Sequence, residues 1–439
     1  MDQTLIALVM IAAMLTAVFL RAPVALAMGG IGAAGYMALS SSPALLSYLS
    51  SAWPDKFMSY ELAIVPLFIL MGNIATRTGI SARIFAASNA WIGHYRGGLA
   101  MASVAGCAMF GSISGSSLAT ASTMARVALP EMSRSGYSGA LAAGSLAAGG
   151  TLGILIPPSV VLIIYAMLTQ QNIVKLFLAA TIPGTLAVIG FTLAIMVWVR
   201  LFPEEGPRHA RASFKTRLRA LAGVWYVVAI FGGVLGGIYG GLFTPAEGAS
   251  VGVVVIALAG VLTRSLGPKV LLDCLIDTAV SSAMIFAIVF GADLFNVALT
   301  LSRMPVALAD WVGAMGLGAM TVLMLMIVFY LVMGCVMDSL SMILLTVPVF
   351  FPTVMSLDFG LTPEAQAIWF GILTLVVVEL GMITPPVGMN LFVIRAMSRE
   401  ISLGQIFRGT TPFIVSEFSR IALLVAFPGL SYWLVQIMN

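Results

Sequence analysis

The sequence predicts an all-α polytopic membrane protein with an internal duplication, and three observations carry that prediction. Hydrophobic residues make up 60% of the 439 residues and charged residues 9%, against roughly 25% charged in a soluble domain, and the mean hydropathy is +1.08. Apolar runs alternate with short polar turns along the chain, and at about 20 apolar residues per span the length holds on the order of a dozen crossings. A short pattern also occurs twice: Leu152-Gly153-Ile154-Leu155-Ile156-Pro157-Pro158 and, 228 residues later, Leu380-Gly381-Met382-Ile383-Thr384-Pro385-Pro386. Proline lacks an N–H and its ring clashes with the preceding turn, so each double proline breaks a helix that resumes beyond it. Broken backbone survives at membrane depth only where protein covers it or a watery cavity meets it. Matching breaks in two halves point to the binding site of a transporter.

Taken in order, the first helix is predicted at 4–20. Met1-Asp2-Gln3 places no positive charge ahead of it, so it reads as a retained helix and not a cleaved signal. Further helices are predicted at 23–39, 62–76, 176–199, 221–238, 246–263, 278–300, 317–336 and 418–436, with irregular apolar stretches at 98–130, 138–168, 338–355 and 366–397. The densest basic segment, Arg200 to Arg219, contains Arg208, Arg211, Lys215 and Arg217. Basic loops remain cytoplasmic, which puts this segment inside and, with Arg21, Arg77 and Arg83, the N-terminus with Asp2 outside. The same segment divides the chain into halves of similar length. Gly232, Gly236 and Gly240, with Gly233, Gly237 and Gly241 beside them, recur every four residues, a stripe for close helix contact. Cys107, Cys274 and Cys335 show no disulfide or metal spacing and read as packing residues.

Several function classes are disfavoured. The formal charge of +4 comes largely from loops and implies no nucleic acid. There is no Gly-x-x-x-x-Gly-Lys-Ser/Thr loop and no His-Glu-x-x-His pattern. The single Gly-x-Ser-x-Gly match, at Gly248, Ser250 and Gly252, lies inside an apolar helix and not at the turn a nucleophile elbow needs. An enzyme is therefore not expected; a passive channel component remains as an alternative to a transporter.

The irregular stretches carry the chemistry. Phe110-Gly111-Ser112-Ile113-Ser114-Gly115-Ser116-Ser117, followed by Ala119-Thr120-Ala121-Ser122-Thr123, is too rich in glycine and hydroxyls for an ordinary membrane helix. It suits either close packing through small residues or a sharp turn whose carbonyls and hydroxyls are hard oxygen ligands for Na⁺. Its position ahead of the first break favours the second reading: a re-entrant hairpin and a broken helix bring tips to the membrane midplane, where carbonyls hold a cation and helix N-termini face an anion. Re-entrant hairpins are predicted within 98–130 and 338–360. In the second half, Asp338 is a carboxylate in an apolar stretch, where a charge is costly and usually functional, although pairing with Arg303 is an alternative. Thr384 and Asn390 offer neutral oxygens to sodium, or hydrogen bonds to the backbone that the prolines free.

Phe110 to Ser117, Pro130-Glu131-Met132 with Arg134-Ser135-Gly136-Tyr137, Gly150 to Ser159, Gly237 to Glu247, Met337-Asp338 and Thr384 to Val393 together resemble the large membrane subunit of tripartite ATP-independent periplasmic (TRAP) transporters. The resemblance runs from about Pro23 to Pro412. It implies a Na⁺-driven importer of organic acids such as sialic acid or C4-dicarboxylates in the cytoplasmic (inner) membrane of a bacterium or archaeon. It also implies an inverted repeat with two re-entrant hairpins and two broken helices, arranged as an elevator-type transport domain on a scaffold. On that pattern, 1–97 and 200–300 are scaffold, the latter beginning with the basic loop; 98–199 and 301–412 are the two transport repeats, and 413–439 is a C-terminal helix. The implied partners are a separate small four-helix membrane subunit and a periplasmic substrate-binding protein, and the implied cofactor is Na⁺, two ions or more. Carried over, a first sodium site falls at Ser114, Gly153 and Pro157, and a second at Asp338, Thr384, Pro386 and Gly388, with Asn390 beside it. Substrate is expected near Ser116, Ser117, Ser159 and Asp338, with Arg303 the candidate to meet its negative charge. A related one-component divalent-anion/Na⁺ symporter is the alternative within the same class, distinguished by needing no binding protein.

Overall fold

The computed structural model describes every residue except 1, 2, 21, 59, 315, 317, 399 and 439. Asp2 and Arg21, which entered the reading of the N-terminus, lie outside the described residues. Every regular element described is a helix. The chain opens with α1 (Gln3–Phe19), α2 (Val24–Leu39), α3 (Ser42–Phe57), α4 (Ile64–Arg77) and α5 (Ile80–Ile92). A first hairpin, α6 (Gly98–Ser114) and α7 (Ser117–Arg134), leads into a first broken helix, α8 (Gly139–Leu155) and α9 (Val160–Thr169), and then α10 (Ile173–Leu201). After the basic segment come α11 (Phe214–Ala222), α12 (Trp225–Ala229), a π-helical turn at Ile230–Leu235, α13 (Gly236–Tyr239), α14 (Pro245–Leu262), α15 (Pro268–Leu301) and α16 (Met304–Ala314). A second hairpin, α17 (Ala319–Gly334) and α18 (Ser339–Met355), leads into a second broken helix, α19 (Pro363–Ile383) and α20 (Met389–Met397). The chain closes with α21 (Leu403–Ala426) and α22 (Gly429–Met438).

Helices α10, α14, α15 and α19 are each long and apolar enough to cross a membrane, and the bent pairs α4–α5, α8–α9 and α21–α22 reach that length together. Among the described residues fewer full-length spans result than the dozen that bulk hydropathy suggests, because much of the apolar sequence is folded into half-length arms such as α6, α17 and α18. The polar-flanked α3 and α5 went unanticipated. Helix α15 begins at Pro268, ten residues before the predicted start, with Pro268 at a first-turn position that needs no N–H. The predicted helix 418–436 is two helices, divided at Phe427 and Pro428, and the expected 412/413 boundary falls inside α21.

The second hairpin is displaced from its expected position within 338–360. Its turn is Cys335 to Asp338 and its arms are α17 and α18; α17 is so uniformly apolar that it resembles an ordinary span. Part of the glycine stripe is also corrected. A Cβ at Gly232, Gly233, Gly236 or Gly241 would meet nothing within 4 Å, whereas Gly237 of the stripe is pressed against Phe243, and Gly248 beyond it against Ile238.

Contacts between the ends of helices establish the inversion. At one level, Glu205 after α10 receives hydrogen bonds from Ser138 at the start of α8 and from Arg408 near the start of α21, and Gly97 before α6 donates to the Gly206 carbonyl. At the opposite level, Glu364 at the start of α19 pairs with Lys175 at the start of α10 and accepts from Tyr432 of α22, while Gln366 bonds the Val354 and Leu357 carbonyls at the end of α18. The α6–α7 hairpin therefore opens at the Glu205 level and the α17–α18 hairpin at the Glu364 level. Helix pair α8–α9 runs from the first level to the second, and α19–α20 runs back.

Local chemistry sets each turn. Gly115, at φ +62, ends α6 in a left-handed conformation open to glycine, and Ser116 caps α7 by accepting from the Ala119 N–H. Asp338 caps α18 through the Ser341 N–H at 3.0 Å. Small residues let hairpin and broken helix touch in both halves: a Cβ on Gly111 would lie 2.5 Å from Gly153 Cα, and one on Gly381 2.7 Å from Gly334 Cα.

Candidate functional site

The two hairpin turns face one cavity of about 280 Å³. Ser114, Ser116 and Ser117 line it from the first hairpin, Asp338 and Ser339 from the second, and Asn73, Thr76 and Ser281 from α4 and α15. Three helices begin at or beside this space. Helix α7 is capped by Ser116, α9 by Ser159 and α18 by Asp338, and the backbone N–H groups of such first turns favour negative charge. Asp338 is the only carboxylate among the described lining residues, and none of them is cationic.

Oxygen atoms cluster behind the first turn. Ser114 Oγ is 2.7 Å from Thr120 Oγ1, 3.3 Å from the Gly111 carbonyl oxygen and 3.5 Å from that of Ser116. Gly153 is pressed against the same group: a Cβ there would stand 2.5 Å from Thr120 Oγ1 and 2.7 Å from the Ser116 carbonyl oxygen. Pro157 and Pro158 are buried beside it, and the Pro158 carbonyl faces Gly115. Neutral hydroxyls and carbonyls converging in this way suit a small hard cation.

The second break is built differently. Gly388, at φ +60, donates its N–H to the Cys335 carbonyl at 3.1 Å, and a Cβ on Gly388 would meet the Thr384 carbonyl oxygen at 3.1 Å. Thr384 Oγ1 donates to the Leu380 carbonyl at 2.6 Å. Pro385 and Pro386 are exposed, in contrast to the buried first pair. The break is thus tied to the second hairpin at Cys335, three residues before Asp338, while the Asp338 carboxylate caps its own helix and lines the common cavity.

Of the residues singled out from sequence, Ser114, Ser116, Ser117 and Asp338 come together in the cavity. Ser159 does not line it; the side chain is fully buried and caps α9 at the Leu162 N–H. Asn390 joins the two halves: its Nδ2 donates to Ser117 Oγ at 2.9 Å and to the Ala147 carbonyl at 3.1 Å. Arg303 is exposed at the corner between α15 and α16, at φ +57, and is not among the cavity-lining residues. Thr120, within the hydroxyl-rich stretch that follows the first turn, joins the site without having been assigned to it, and Asn73, Thr76 and Ser281 lie outside the sequence expectations. Asn73 is findable as the lone amide in an apolar run; nothing local marks Ser281.

Residues 8–430 match the family described as "Tripartite ATP-independent periplasmic transporter, DctM component". The chain is 35% identical over 381 residues to the C4-dicarboxylate TRAP transporter large permease protein DctM of Pseudomonas aeruginosa, covering 85% of each chain. It is 29% identical over 384 residues to the sialic acid TRAP transporter large permease protein SiaM of Vibrio cholerae, covering 86% of this chain and 87% of that one. A solved structure of the YdaH transporter of Alcanivorax borkumensis has the same fold, with a TM-score of 0.63, 16% identity and coverage of 89% and 90% of the two chains.

Proposed function

The chain belongs to the DctM component family of tripartite ATP-independent periplasmic transporters, and we propose that it imports small organic acids across the cytoplasmic membrane in symport with Na⁺. The observation that carries this reading is the shared cavity: both hairpin turns and three helix starts meet at a polar space that contains a carboxylate and no cation among its described lining residues. A carboxylate substrate brought there alone would meet Asp338 as a like charge. Sodium bound at the oxygens around Ser114, Thr120, Ser116 and Gly153, and at the second break near Thr384, Pro386 and Gly388, supplies the missing positive charge. The helix N-termini then add to it at the substrate itself.

Mechanistically, Ser116 and Ser117 donate hydroxyl hydrogen bonds to the substrate carboxylate, and Asn390 holds Ser117 in register with the second half. Binding of ion and anion together leaves the hairpin turns closer to neutral than either does alone. That lowers the cost of carrying them through the membrane and couples the two fluxes. The hairpins and broken helices then move as one body against a scaffold that includes α4 and α15, delivering substrate in elevator fashion. Substrate is received from a periplasmic binding protein, with a separate small membrane subunit as the chain's partner. C4-dicarboxylates head the candidates, because the relative described at 35% identity carries that name.

Reconstitution in proteoliposomes tests the reading. Uptake of a C4-dicarboxylate or sialic acid that needs both the small subunit and a cognate binding protein supports it. Equal uptake with the binding protein omitted sinks it in favour of a one-component symporter, and flux indifferent to a sodium gradient sinks it in favour of a channel.

A further inference from the structure

We propose that Glu379 is a proton-binding site in the membrane interior, holding its carboxyl in the protonated form beside an ionised Glu417–Arg420 pair. The three side chains meet where α10, α19 and α21 pack. Glu379 is 0% exposed, Glu417 1% and Arg420 4%. Arg420 donates from Nη2 to Glu417 Oε2 and from Nη1 to the Pro183 carbonyl of α10 at 3.2 Å. Glu379 Oε2 lies 4.0 Å from Arg420 Nη2, too far for a hydrogen bond. Both carboxyl oxygens of Glu379, and Oε1 of Glu417, are buried without a hydrogen-bond partner among the described residues.

Two carboxylates against one guanidinium leave a net negative charge in a dry interior. A buried carboxylate without a partner neutralises in preference to remaining charged. Glu417 takes the hydrogen bond of the guanidinium and stays ionised, so the proton belongs to Glu379. Full burial leaves no face of Glu379 open to a larger ion, and a proton needs none. Once protonated, Glu379 has an O–H to donate, and the unpartnered Glu417 Oε1 is an acceptor of the required kind in the same cluster.

The other ionisable groups on the surrounding helices are committed elsewhere. Lys175 of α10 and Tyr432 of α22 engage Glu364, itself at the start of α19. Tyr165 of α9 donates to the Ala367 carbonyl and Tyr330 of α17 hydrogen-bonds Thr346. Arg395 of α20 donates to the Ile401 carbonyl, Arg408 of α21 pairs with Glu205, and Arg200 is exposed at the far end of α10. Helices α8 and α18, which also pack on α19, carry no charged residue. The proton therefore leaves the packed interior around the second broken helix without net charge.

Infrared spectroscopy of the purified full-length protein at neutral pH tests this without reference to transport. A protonated-carboxyl carbonyl band is expected that moves on ¹³C labelling of glutamate carboxyls and disappears in Glu379→Gln. In Glu417→Gln the band is also lost, because Glu379 ionises to become the counterion of Arg420. Absence of any glutamate-derived band in the labelled parent overturns the proposal even if neither variant folds. Retention of the band in Glu379→Gln overturns it as well, and so does retention in Glu417→Gln.

Discussion

Replacing Gly153 with alanine puts a methyl group into the oxygens assigned to sodium. The new Cβ would stand 2.5 Å from Thr120 Oγ1, 2.7 Å from the Ser116 carbonyl oxygen and 3.1 Å from the Ser116 carbonyl carbon. Contacts that close force the first hairpin turn away from the broken helix. Overpacking of this kind costs about 1–3 kcal/mol. If that cost falls on the sodium-bound arrangement, affinity for Na⁺ drops roughly 5- to 150-fold, at 1.4 kcal/mol per tenfold. The assay is thermal unfolding of the purified protein across a Na⁺ titration with K⁺ keeping ionic strength constant. A ligand that binds only the folded state raises stability with the logarithm of its concentration once it exceeds its dissociation constant, so the onset of the rise should move upward by that factor in Gly153→Ala. Gly144→Ala is the control: its Cβ would lie 2.1 Å from the Gly409 carbonyl oxygen, a backbone clash between α8 and α21 away from both turns. It should lower the melting temperature and leave the sodium onset in place. An unchanged onset in Gly153→Ala, or an equal shift in Gly144→Ala, would refute the assignment.

Asp338→Asn should abolish most Na⁺-driven uptake while the melting temperature stays near that of the parent, because asparagine caps a helix about as well as aspartate; normal rate and sodium dependence would make Asp338 a bystander. Changing Pro157-Pro158 or Pro385-Pro386 to Ala-Ala restores backbone N–H groups, lets helix form through the break and draws carbonyls into its hydrogen-bond ladder. Sodium-specific thermal stabilisation should then fall in each variant, and stabilisation equal to the parent's would show that the prolines only bend helices. Arg303→Gln should leave the Km for substrate unchanged, since Arg303 is exposed outside the cavity lining; a rise of tenfold or more would return it to the site.

Much of this arrangement was legible because covalent features carry it. Proline cannot propagate a helix, so both breaks stood out at 157–158 and 385–386, and the glycine-serine run announced the first turn at Gly115 and Ser116. The second turn contains no such run. Its Cys335-Val336-Met337 approach is as apolar as the helix before it, and only Asp338 marked the place, so the hairpin was displaced by one arm. Asn390 illustrates a different limit. The residue was noticed as an oxygen donor, but its amide reaches Ser117 and Ala147, some 270 and 240 residues away in sequence, and no local pattern encodes such a partner. Arg303 was nominated because an anion calls for a cation. In the structure Arg303 is exposed at the corner between α15 and α16, and the described lining of the cavity has no positive side chain. The Glu379, Glu417 and Arg420 cluster has no local signature: Glu379 lies in the irregular stretch 366–397, while Glu417 and Arg420 fall at the edge of the predicted helix 418–436, and only the packing of α19 on α21 brings them together.

The most direct test of the central claim is substrate uptake into proteoliposomes containing this chain, its small membrane subunit and a substrate-loaded binding protein, with an inward gradient of either Na⁺ or K⁺ imposed at equal ionic strength. Sodium coupling predicts accumulation above equilibrium with the Na⁺ gradient and none with K⁺. Equal accumulation with the two cations, or mere equilibration with both, would contradict it.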